Sequence, residues 1–92
     1  MKKKVKKFFK IKNDKGLHTR PATELVRCAQ IFKSKIYLGY GVRRADAKSL
    51  LSILTLGAGP DVNLYVEAEG EDARAAVETI VSLANNNFRT TF

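Results

Sequence analysis

The sequence predicts an α+β fold: an open-faced two-layer sandwich in which a four-stranded antiparallel sheet is covered on one face by three helices, in the order β-α-β-β-α-β-α. Two observations carry this prediction. Segments that alternate apolar and polar residues imply a sheet with one wet face, because successive side chains of a strand point to opposite sides. Between and after them run stripes with the 3.6-residue period of amphipathic helices, which must bury their apolar sides against that sheet.

The first strand is read from KVKKFFKIK, where Val5, Phe9 and Ile11 share one face and Lys6, Lys10 and Lys12 the other. Phe8 breaks the pattern on the polar side. Asn13, Asp14, Lys15 and Gly16 are turn residues, after which Ala22, Leu25, Val26, Ala29 and Ile31 recur at helical spacing. Pro21 suits a first helical turn, where its missing N–H is no loss, so the helix is expected to start at Thr19, just past His18.

A second strand is expected over KIYLGY, and Gly41-Val42 reads as a Gly-first hairpin turn into a third strand over 43–47. Ser49 can cap a short helix, LLSILTL, that Gly57 closes. After the Gly59-Pro60-Asp61 turn, Val62, Leu64, Val66 and Ala68 alternate as a fourth strand. Gly70-Glu71-Asp72 starts the last helix, whose stripe is Ala73, Ala76, Val77, Ile80 and Leu83. Residues 1–92 are expected to form a single domain, with 1–4 and 86–92 frayed.

Ninety-two residues, 45% of them hydrophobic, are enough for one core. No apolar run approaches the roughly 20 residues of a membrane span, and the lysine-rich start lacks the features of a signal peptide, so a cytoplasmic protein without membrane insertion is expected. A single cysteine, Cys28, cannot form an internal disulfide, and with a single histidine it makes no zinc site; no metal and no cofactor are expected. The net charge of +8 implies attraction to acidic proteins, nucleic acid or anionic surfaces. The exposed aromatics Tyr37 and Tyr65 would suit nucleic acid, but no recognised motif accompanies them, so solvated surface lysine is the favoured explanation.

The stretch GLHTRPAT, residues 16–23, places the one histidine where a helix begins. A helix N-terminus presents unpaired N–H groups and a partial positive charge, which suits a phosphate. An imidazole, with a reference pKa of about 6.5, is a nucleophile near neutrality. Arg20 adds a planar cation two residues on. On local physics alone a histidine at a helix start is more often surface or capping chemistry.

The run G-L-H-T-R-P-A resembles the active-site signature of the histidine-containing phosphocarrier family, HPr, of the bacterial phosphoenolpyruvate-dependent sugar phosphotransferase system. DAKSLLSILTLG at 46–57 is similar to the family's second signature, and VNLYVEAEGEDARAAV to its last strand and helix. The resemblance implies a phosphocarrier, not an enzyme, that accepts a phosphoryl group from phosphorylated enzyme I on His18, at Nδ1 by analogy. It would pass the group to sugar-specific acceptor components, with Arg20 assisting and helix-start N–H groups near Thr19 holding the phosphate. Ser49 matches a regulatory phosphorylation site, which brings in a serine kinase as a further partner. Leu50, Leu51 and Leu54 match docking positions, ringed by Arg20, Arg27 and Lys48, and a monomer is expected. The alternative is a regulatory relative acting by phosphorylation-sensitive binding to partner proteins. Thr19 stands where the family usually has alanine, Ser52 replaces a common glycine, and Gly41-Val42 replaces Asn-Gly.

Overall fold

The computed structural model describes residues 3–12 and 15–88. Seven elements follow one another: β1 (Lys4–Lys10), α1 (Thr19–Gln30), β2 (Lys35–Tyr40), β3 (Arg43–Asp46), α2 (Leu50–Thr55), β4 (Asn63–Glu69) and α3 (Ala73–Asn85). The strands form one antiparallel sheet in the order β1-β4-β2-β3. The expected fold class and element order are therefore those observed.

Register explains why the alternation was readable. Val5 and Phe9 lie opposite Ala68 and Leu64, and Ile36 and Leu38 lie opposite Ala68 and Val66, so the apolar residues of three strands share one face. Against that face pack Ala22, Leu25 and Ala29 of α1, Ile53 of α2, and Ala76, Val77 and Ile80 of α3, all in one continuous core. Lys7 breaks this face on β1, an edge strand, and stays exposed. An inward-facing lysine is a known way to keep a sheet edge from pairing with another chain. No helix among the described residues is long and apolar enough to cross a membrane.

The hairpin turn is Gly-first, as expected. Tyr40 pairs with Arg43, leaving a two-residue loop in which Gly41 has φ 61° and Val42 is not in the positive-φ region, the pattern of a type II′ turn. Ile31 departs from the helical stripe: it is the C-cap of α1 and is exposed.

Fraying at the two ends is not what the described residues show. Lys4 belongs to β1, and the Lys3 carbonyl accepts the Gly70 N–H at 2.8 Å. After α3, the Phe88 N–H donates to the Leu83 carbonyl at 2.8 Å and the Asn87 N–H to Ala84 at 3.0 Å, the paired bonds of a Schellman cap. Asn87 has φ 56°, which asparagine tolerates better than most residues, and Phe88 has φ 59°, which a bulky residue resists. Burying the Phe88 ring completely in the core offsets that strain. Residues 1–2 and 89–92, also expected to fray, lie outside the described residues.

Candidate functional site

The loop before α1 is held from behind. The Leu17 N–H donates to the Ala58 carbonyl at 2.9 Å, and Leu17 is buried. Gly16, with φ 70°, lies so close to the 58–59 backbone that a Cβ there would come within 2.5 Å of the Gly59 carbonyl carbon. Only glycine fits both the conformation and the space. The sequence had marked Gly16 as turn chemistry; its second role, contact with a segment some forty residues on, leaves no local signal.

His18 follows as the N-cap of α1. Its backbone is extended (φ −92°, ψ −170°), its N–H donates to the Gly16 carbonyl at 3.1 Å, and its carbonyl accepts the Ala22 N–H at 2.9 Å, the first helical bond. The imidazole makes no capping hydrogen bond, and the residue is half-buried. An ordinary N-cap side chain accepts from the backbone N–H groups of the first turn. Here that work is left undone.

The consequence is an open set of donors. Pro21, buried as the third residue of α1, has no N–H, and the N–H groups of Thr19 and Arg20 have no partner among the described residues. No acidic residue lies in the first turn. Arg20 is exposed and makes no ion pair among the described residues. The Thr23 hydroxyl turns back to the Thr19 carbonyl at 2.7 Å, bracing the turn without occupying the donors. Two backbone donors, a helix dipole and a guanidinium without an ion-pair partner thus belong to the residues that directly follow His18, a combination that favours a doubly charged oxyanion group.

The leucines singled out on α2 are exposed: Leu51 to 72%, Leu50 and Leu54 to 36% each, while Ile53 alone of that helix is buried. α2 packs against α1, so this apolar surface belongs to the layer that carries His18. Ser49 caps α2 as expected, its hydroxyl accepting the Ser52 N–H at 3.3 Å. Ser52 in turn accepts the Asp46 N–H on its hydroxyl at 2.9 Å, tying β3 to the helix.

The cations expected around the leucines differ among themselves. The Arg27 side chain is exposed and lies 3.8 Å from Glu24, three residues back on the same helix. Lys48 is committed elsewhere: its ammonium donates to the Phe32 carbonyl at 2.6 Å, and its own carbonyl accepts from the Gln30 side chain at 3.3 Å. It fastens the end of α1 to the start of α2. Burial pushes the Cys28 thiol pKa up, which keeps it protonated and unreactive. Among the described residues no cluster of His, Cys, Asp or Glu could hold a metal ion.

Comparison with known proteins gives consistent matches. The family described as PTS HPr component phosphorylation site matches residues 5–86. The phosphocarrier protein HPr of Buchnera aphidicola subsp. Schizaphis graminum (strain Sg) is 47% identical over 72 residues, which cover 78% of this chain and 85% of the relative. Among solved structures, HPr-C-His from Thermoanaerobacter tengcongensis superposes with a TM-score of 0.89 at 32% identity, covering 96% of this chain and 99% of that one. A phosphocarrier protein HPr from Bacillus anthracis str. Ames superposes with a TM-score of 0.82 at 29% identity, covering 86% and 94%.

Proposed function

The chain belongs to the HPr family of phosphotransferase-system phosphocarriers, and from that premise we propose that it accepts a phosphoryl group from phosphorylated enzyme I on His18 and delivers it to sugar-specific acceptor components. The observation that carries this reading is the N-cap histidine followed by two N–H groups without partners and no acid in the first turn. A lone pair of the imidazole, Nδ1 by family analogy, attacks phosphorus. The P–N bond forms as the bond to the donor's leaving atom breaks, and the reverse displacement hands the group on.

Little covalent work is asked of the protein; positioning and charge stabilisation suffice for phosphoryl transfer. The N–H groups of Thr19 and Arg20 and the Arg20 guanidinium take the phosphoryl oxygens. Because a carrier must also release its load, stabilisation is useful only if the transition state gains at least as much as the loaded state. Donors at an exposed helix start, competing with water, meet that requirement better than a closed pocket would.

The exposed Leu50, Leu51 and Leu54 form the docking spot for enzyme I and the acceptors, with Arg20 and Arg27 supplying charge for acidic partner surfaces. Lys48 acts here as a structural fastener. Ser49, at the N-cap of α2 beside these leucines, is the regulatory phosphorylation candidate. Incubating the protein with phosphoenolpyruvate and catalytic enzyme I tests the assignment: an acid-labile phosphoryl group should accumulate on this chain, and its failure to do so under conditions where an authentic HPr is loaded would contradict it.

A further inference from the structure

The helices cover one face of the sheet, and the other carries three aromatic rings on three adjacent strands. Phe8 of β1 lies directly opposite Tyr65 of β4, and Tyr65 lies directly opposite Gly39 of β2. The Tyr65 ring occupies the place a Cβ at Gly39 would take, 1.9 Å from its nearest atom, so the ring is laid across the neighbouring strand. Phe8, 70% exposed, meets it edge to face at a centroid distance of 5.9 Å. Tyr37 stands two residues before Gly39 on the same face.

Cations sit on these rings. The Lys6 ammonium is 4.2 Å from the Tyr65 centroid and 5.4 Å from that of Phe8, and the Arg44 guanidinium carbon is 3.9 Å from the Tyr37 centroid. The acids of this face are already engaged or flanked: Glu67 is paired with Lys4 at 3.8 Å and Arg44 at 3.1 Å, Asp46 accepts the Lys48 N–H at 2.9 Å, and Glu69 lies between Lys4 and Lys35 in the register. Lys6, Lys10 and Lys35 have no carboxylate partner among the described residues. Neither His18 nor the α2 leucines accounts for this arrangement.

We propose that the open face of the sheet binds single-stranded nucleic acid. Aromatic rings on a sheet stack bases without regard to sequence, and lysines without carboxylate partners alongside them take the phosphates. A base that stacks on Tyr65 or Tyr37 takes the place of the Lys6 ammonium or the Arg44 guanidinium, and the displaced cation is then beside the phosphate of the same nucleotide. The charge of +8, which by itself did not choose among acidic proteins, nucleic acid and anionic surfaces, acquires a partner through this juxtaposition of rings and lysines without carboxylate partners.

The test is fluorescence anisotropy of a labelled oligouridylate of about 12 nucleotides titrated with the full chain. With three to four phosphates neutralised, affinity should fall roughly 20- to 50-fold between about 50 and 200 mM salt. Phe8→Ala, which removes a largely exposed ring and its edge contact with Tyr65, should lower the thermal melt by a few degrees at most and is expected to weaken binding about 10-fold with the salt slope unchanged. The double change Lys6→Ala, Lys10→Ala should reduce the slope by about 1.4. Phosphoryl transfer should be unaffected in Phe8→Ala, so this proposal and the His18 assignment fail independently. No binding at low salt, binding indifferent to Phe8, or capture by anionic phospholipid vesicles without oligonucleotide binding would each overturn it.

Discussion

The proposed function divides the chemistry between His18 as nucleophile and Arg20 as clamp, and the two residues differ in what each touches. His18 is built into the backbone of the helix start, whereas Arg20 is exposed and makes no ion pair among the described residues. Arg20→Ala should therefore leave the melting temperature unchanged and slow transfer from enzyme I roughly 10- to 150-fold, the equivalent of a charge-assisted contact of about 1.5–3 kcal/mol. Rapid-quench kinetics beside a thermal melt checks both halves. Ser49 separates stability from docking in the same way. Aspartate caps a helix as well as serine does and suits its dipole, so Ser49→Asp should melt with the parent, while Ser49→Ala loses about 1 kcal/mol. On the proposed docking, transfer measured on the two should be slower for Ser49→Asp, whose new charge would face an acidic partner. At this scale the start of α1 at Thr19 and the Ser49 cap of α2 were legible because both are local. Lys48 was not: the carbonyl that holds its ammonium belongs to Phe32, sixteen residues away.

Elements were read best where one periodicity ruled. α1, β2, β4 and α3 lie within a residue or two of their sequence-based spans, and the hairpin turn follows from Gly41 taking the positive φ. The end of α3 was misread because NNNF has polar composition and no period. Its information is positional: an asparagine at the left-handed position followed by an apolar residue two past the C-cap, which is a capping signature and not a frayed tail. Phe88 is consequently a core residue. Phe88→Ala should destabilise the domain by about 3–5 kcal/mol, the cost of emptying an aromatic site, read from the midpoint of a urea transition. A change below 1 kcal/mol would return the segment to the surface.

For the whole molecule, stability depends on ties between distant segments as well as on the shared core. The Asp72 carboxylate at the start of α3 accepts the Lys33 and Ser34 N–H groups at 2.9 Å each and the Ser34 hydroxyl, joining α3 to the entrance of β2. Nothing in the sequence announced this; Asp72 was read only as part of the helix start, and its partners lie 38 and 39 residues away. These hydrogen bonds, the Ser34 hydroxyl first, hold the carboxyl pKa below its usual 3.8. A depressed carboxylate stabilises the fold at pH above its unfolded value and loses that contribution as pH falls through the folded one. Asp72→Asn should melt below the parent at neutral pH, with the gap closing below about pH 4, as a series of thermal melts would show.

The central claim is that the phosphoryl group resides on His18, and because the chain contains a single histidine the most direct measurement is unambiguous. Protein with isotopically labelled histidine, loaded from phosphoenolpyruvate through enzyme I, should show phosphorus–nitrogen coupling at Nδ1 of His18 in its NMR spectrum, and the signal should vanish on mild acid treatment. Loading that leaves both imidazole nitrogens unmodified, with the phosphate found on a hydroxyl or persisting in His18→Ala, would contradict the account.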